Sequence, residues 1–216
     1  KLDSQTGEAE DKDDPFQLKD LGKILTSSGF WLVALLCVLY YSAIFPFQKY
    51  AVNMLQCNLT FTEVPADSFW ATNTVTIVQY GIMLIVAAAA FASNFSKKKT
   101  TKYSLLVVAV VALVVFCYMG YMRQSAETVF AVFPLLAVGI TPILGSYVDH
   151  KGKAASMLIL GSLLLIACHL TFAFVLPMFK GSPVGGIIVA YLTILVLGSS
   201  FSLVPASMWP SVPKII

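Results

Sequence analysis

YSLLVVAVVALVVFCYMGYM, Tyr103 to Met122, runs through the middle of the chain without a charged side chain. Crossing the hydrocarbon core of a bilayer takes roughly 20 mostly apolar residues as a helix, because lipid offers backbone amides no hydrogen-bond partner. Working outward, the same reading gives Phe30–Tyr50 and Phe69–Ser93 before it, and Thr128–Tyr147, Ala154–Met178 and Val184–Pro210 after it. The expected fold class is therefore all-α, a polytopic transmembrane helical bundle with about six spans. The composition is 58% hydrophobic against 12% charged, with a positive mean hydropathy. A soluble domain of that composition would aggregate, since so much apolar area needs lipid or protein to cover it.

The segment before the first span is acidic, with Asp3, Glu8, Glu10, Asp11, Asp13 and Asp14, so residues 1–28 read as a cytoplasmic linker rather than a cleaved leader. Asp14 and Pro15 suit a helix start, and Leu18, Leu21 and Leu25 recur at helical spacing beside Lys19 and Lys23. That pattern predicts a short interfacial helix on the inner membrane surface. Residues 29–216 form the transmembrane domain. Lys1 is not an initiator Met, and the chain stops at Ile216 within an apolar stretch, so the expectation is a piece of a longer protein.

Alternating six spans puts Lys19, Lys23, Lys97, Lys98, Lys99, Lys102, Lys151, Lys153 and Lys214 on one side and Lys49, Arg123 and Lys180 on the other. Basic flanks are retained in the cytoplasm, which makes the first side cytoplasmic. The net charge of +3 is thus distributed by side, and no nucleic-acid partner is expected. Cys37, Cys117 and Cys168 fall in apolar spans and Cys57 in a loop, with no CxxC pair. They read as small packing residues, with no metal site, disulfide framework or cofactor expected. Asn58, Leu59 and Thr60 make a formal glycosylation triplet in the longest outer loop.

The spans differ in kind. Thr72, Thr76 and Gln79 share helical spacing ahead of the small run Ala87–Ala90, where small side chains permit close helix approach. Tyr103–Met122 is apolar around its circumference and reads as peripheral.

GSYVDHKGKAA, Gly145 to Ala155, joins two spans on the expected inner side. It resembles the motif A loop of the major facilitator superfamily, with Gly145, Asp149, Gly152 and Lys153 matching the conformational motif and Lys151 and Lys153 standing where arginines are frequent. An ordinary polar turn would also favour Asp, Gly and Lys. CVLYYSAIFPF, Cys37 to Phe47, and SMWPSVPKII, Ser207 to Ile216, resemble the dipeptide-transporting major facilitator domain-containing protein one group and its bacterial relatives. There the first string belongs to the seventh helix and the second to the end of the tenth. The resemblance implies a partial major facilitator fold, the C-terminal portion of a transporter whose N-terminal half is missing. It implies a bacterial inner (plasma) membrane, or a lysosomal membrane if the source is eukaryotic. Residues 69–122 depart from that pattern and read as an inserted helical hairpin. A competing register makes the six spans helices seven to twelve, but it would move the motif A loop between helices ten and eleven.

Tyr41, Phe45 and Gln48 lie at i, i+4 and i+7 on one face of the first span, with Pro46 among them. Proline removes the donor to the Ser42 carbonyl, and bent helices line transporter cavities. Tyr40 or Tyr41 can donate to a peptide carboxylate or carbonyl; the alternative is a lipid-interface aromatic belt. The last span carries Ser199, Ser202, Ala206 and Trp209 near one stripe, interrupted by Pro205 and followed by Pro210 and Pro213. It reads as a gating helix, with Trp209 either plugging the inner mouth or anchoring at the interface. Pro142 is a further kink. His169 is the titratable group deep in a span, a proton relay or a buried hydrogen-bonded ring. Tyr40, Tyr41, Phe45, Gln48, His169 and Trp209 are the substrate-binding candidates. The expected function is secondary transport of a small organic solute, short peptides among the options, by alternating access. No HExxH, GxSxG or paired-carboxylate pattern supports a membrane-embedded enzyme, and a noncatalytic anchor or sensor is the remaining alternative.

Overall fold

In the computed structural model, which describes residues 22, 24–151 and 153–209 without the Asp149 side chain, Ser27 accepts a hydrogen bond from the Phe30 amide. That cap opens the first long helix, α1, Ser28–Asn58. Ahead of it, Gly22 and residues 24–26 are helical; the rest of the expected interfacial helix, with Asp14, Pro15, Leu18 and Leu21, lies outside the described residues, as do Gly152 and Pro210. After α1 come α2 (Asn73–Phe95), α3 (Lys99–Met122), α4 (Ala126–Lys151), α5 (Ala154–Leu170) and α6 (Pro183–Met208). Among the described residues, six helical segments are long and apolar enough to cross a membrane. The chain is an all-α multi-pass bundle, as its apolar runs predict.

The bounds of the first two spans differ from the sequence expectation in ways that matter. The first span does not stop at Tyr50: Ala51 and Leu55 remain buried while Asn53 and Gln56 face outward, so an amphipathic extension carries α1 to Asn58. Its 31 residues span about 46 Å at 1.5 Å per residue, more than the roughly 30 Å of hydrocarbon. Cys57 is accordingly an exposed residue of the last helical turn rather than of a loop. The second span begins at Asn73, because Phe69–Ala71 forms a separate 3-10 turn and Thr72 caps α2, its hydroxyl accepting from the Val75 amide. Thr72 is therefore a cap and not part of a polar stripe within the membrane.

The fifth span is the largest departure. A single regular helix over Ala154–Met178 was the expectation, but α5 gives way to a π-helical turn, Thr171–Val175, and a 3-10 turn, Leu176–Phe179. Pro177 has no amide to donate to the Ala173 carbonyl, so the α-helical ladder cannot continue there. By contrast, α1 runs unbroken through Pro46, α4 through Pro134 and Pro142, and α6 through Pro205.

At the centre of the bundle, α6 packs against both α4 and α5, while α2 and α3 form a hairpin that leans on α4. Glycines set these approaches. A Cβ at Gly198 would lie 3.1 Å from the Phe133 carbonyl on α4, and one at Gly161 would lie 3.0 Å from Val204 on α6. The expected close approach of the alanine run is made by Ala90, whose methyl would be 2.8 Å from a Cβ at Gly139. Between lipid-like surfaces packing, not hydrophobic transfer, drives association, so such contacts decide the arrangement. Ser199, Ser200, Ser202 and Ser207 on α6 return their hydroxyls to carbonyls of the preceding turn, which lets them sit in an apolar core. The Tyr103–Met122 run is peripheral as expected: Val107, Val108, Val110, Val111 and Val114 are exposed, an apolar face that lipid covers.

Candidate functional site

The open face of α1 and the broken end of α5 lie on either side of one aromatic layer. Tyr41 and Phe45 stack with centroids 5.2 Å apart; Phe45 is exposed and Gln48 half-buried. Within the stripe only Phe45 is open, Tyr41 packing partly against the core, and Ser42, whose carbonyl loses its in-helix donor to Pro46, is exposed beside it. Tyr40 turns the other way. It is buried, stacks on Phe201 at 6.1 Å and donates its hydroxyl to the Phe201 carbonyl at 2.9 Å. Of the two tyrosines, Tyr40 is buried and Tyr41 half-buried against the core.

Phe47, which the sequence reading passed over, is the hub of the layer. Its ring stacks on Phe172 in the π turn at 5.2 Å and meets Phe130, Phe133 and His169 edge-on. His169 Nδ1 lies 2.9 Å from the Leu165 carbonyl. A carbonyl can only accept, so Nδ1 is the donor in that pair. Among the described residues Nε2 is buried and has no partner. The histidine is thus half satisfied, with one ring nitrogen bonded and the other unpartnered among the described residues.

Trp209 is exposed at the end of α6, whereas Ser202 and Ala206 are buried in the core. The expected gating stripe is therefore split: its small residues pack helices, and only Trp209 is open. Among the motif residues, an added Cβ at Gly145 meets no described atom within 4 Å, and Lys153 is exposed as it precedes α5. The Asn58 amide donates to the Met54 carbonyl and the Thr60 hydroxyl to the Lys180 carbonyl, so the glycosylation triplet is tied into the bundle end.

A polar cluster at the opposite end from the lysine-rich turn escaped the sequence reading. Buried Gln79 donates to Thr128 at 3.1 Å and accepts from Arg123. Gln79 lies on α2, Arg123 in the turn after α3 and Thr128 on α4; the sequence reading uses Arg123 only as a topology charge. The chain matches no family model, no curated protein and no solved structure.

Proposed function

We propose that this chain is the membrane-embedded C-terminal portion of a secondary transporter that moves a small organic solute, short peptides in the first instance, by alternating access. The observation that carries the reading is the meeting of two proline-marked spans at Phe47 and Phe172, where α1 carries Pro46 and α5 passes into a π turn. Distorted backbone at membrane depth is tolerated where it is buried in protein or lines a cavity, and π turns concentrate at functional sites. On this reading Tyr41, Phe45 and Gln48 form one wall, the His169 ring lies behind it as a hydrogen-bonding group, and the N-terminal half of the same transporter closes the cavity and brings charges. The motif around Asp149 serves conformational switching, in keeping with the resemblance to the major facilitator superfamily. The hairpin of α2 and α3 is an insertion, and no covalent chemistry is involved. The host membrane is a bacterial plasma membrane or a lysosomal one.

The test is uptake of labelled dipeptides and sugars into proteoliposomes holding the full-length protein, with and without a proton gradient. Dipeptide uptake above that of empty vesicles supports the reading. Absence of uptake of either class under both conditions sinks it.

A further inference from the structure

Where the α3–α4 turn closes the bundle, α2, α3 and α4 enclose a cavity of about 420 Å³, within the range of small-ligand sites. Gln79, Arg123, Glu127 and Thr128 line its mouth, and Met83 and Phe116 its floor. Met83 lies one helical turn deeper than Gln79, and Phe116 about 10 Å deeper than Arg123 at 1.5 Å per residue. The cavity is therefore polar at the bundle end and apolar toward the membrane middle.

Its polar groups are held in place. Gln79 is only 4% exposed, and both ends of its amide are engaged, with Thr128 and with Arg123. Among the described residues Gln79 is the one side-chain hydrogen-bond partner of the guanidinium. That leaves most of a planar donor fork, the geometry that matches phosphate, open to the cavity. The Glu127 carboxylate, exposed at the same mouth, accepts from the Ser125 hydroxyl at 2.9 Å. An arginine that merely reaches for bulk headgroups needs no buried amide to orient it.

One fixed cation, one carboxylate and an apolar floor match a molecule with the same three parts. We propose that this cavity holds one zwitterionic phospholipid, its phosphate on Arg123, its ammonium toward Glu127 and an acyl chain along Met83 and Phe116. The site is independent of the transport reading.

The experiment is native mass spectrometry of the purified full chain in detergent with equal amounts of phosphatidylethanolamine and phosphatidylglycerol. The expected result is one retained lipid, mainly phosphatidylethanolamine. Arg123→Ala should lower retention of both lipids about tenfold, as loss of a charge-assisted pair implies. Glu127→Gln should shift the ratio toward phosphatidylglycerol, and Met83→Trp, which fills the floor and spares the charges, should weaken retention. Arg123→Lys covers a misfolded alanine variant, since it keeps the charge, loses the fork and should also retain less. Wild-type retention by Arg123→Ala or Arg123→Lys, or an unchanged lipid ratio in Glu127→Gln, overturns the proposal. So does displacement of the lipid by millimolar inorganic phosphate with Met83→Trp without effect, which would mark a site for a soluble phosphate compound.

Discussion

The Tyr40 hydroxyl donates to the Phe201 carbonyl at 2.9 Å, and that carbonyl is the one from which Pro205, four residues on in α6, withholds a donor. A phenol on α1 thus replaces the missing amide of α6. In hydrocarbon an unpaired carbonyl has no water to turn to, so the bond ties the edge helix to the central one.

Tyr40→Phe should therefore lower thermal stability in detergent by about 1 kcal/mol, the net worth of such a bond in a membrane protein. Pro205→Ala supplies an amide to the same carbonyl. The double variant Tyr40→Phe/Pro205→Ala should recover most of the loss, and a thermal-shift double-mutant cycle reads the coupling. Strict additivity of the two changes would mean that the carbonyl is not what they share.

Two glycines that look alike in the sequence should respond in opposite ways. A Cβ at Gly120 would lie 2.5 Å from both Thr128 Cγ2 and the Tyr191 hydroxyl, whereas one at Gly81 meets nothing within 4 Å. Gly120→Ala should destabilise by about 1–3 kcal/mol through overpacking, and Gly81→Ala should be neutral or gain up to about 1 kcal/mol from helix propensity. The same thermal-shift assay checks both, and equal effects would contradict the packing at the α3–α4 turn.

The α3–α4 turn itself imposes a backbone demand. Gln124 has φ of 50°, the left-handed conformation that ends α3, and its side chain bonds the Tyr121 carbonyl and the Thr62 amide. Gln124→Val should cost about 1–2 kcal/mol, because a branched side chain is strained at positive φ. Gln124→Gly should relieve the strain but free the loop between α1 and α2, which faster proteolysis between residues 59 and 72 would report.

The existence and order of the spans were legible because membrane crossing leaves a long, uniform apolar signal. What stayed hidden depends on which residues meet in space. Phe47 and Phe45 are equally aromatic, and only the packing of α1 sends Phe47 into the layer with Phe172 and leaves Phe45 outside. Pro177 stands in the sequence, but nothing local tells a proline that α-helix tolerates, such as Pro205, from one that falls in a 3-10 turn just after a π turn. The Gln79–Arg123–Thr128 cluster joins side chains from two helices and the turn between α3 and α4, so no single window of sequence contains it.

Sidedness follows from lysine placement and from the even number of helices in the α2–α3 hairpin. The turns at Lys98 and Lys151 fall at the same end of the antiparallel bundle, since two helices separate them. Single cysteines at positions 98 and 151, in a background without reactive native thiols, should label with an impermeant reagent from the cytoplasmic side only. Labelling of either from outside would invert the topology or break the hairpin.

The stripe of Tyr41, Phe45 and Gln48 provides the sharpest test of the transport reading. Its Phe45 is exposed while Tyr41 and Gln48 are half-buried, and an open face on a membrane helix meets either lipid or the other half of a transporter. Lipid has no use for the Gln48 amide, whereas a solute cavity uses aromatic walls for shape and amide or hydroxyl groups for orientation. Tyr41→Phe and Gln48→Ala should each weaken substrate binding to the full protein about threefold to tenfold, the worth of one hydrogen bond. Val108→Ala, on the exposed valine face of α3, should leave binding unchanged. Equilibrium binding of a labelled dipeptide separates the cases: equal losses in all three variants would show a general packing effect, and wild-type binding by Tyr41→Phe and Gln48→Ala would return the stripe to the lipid interface.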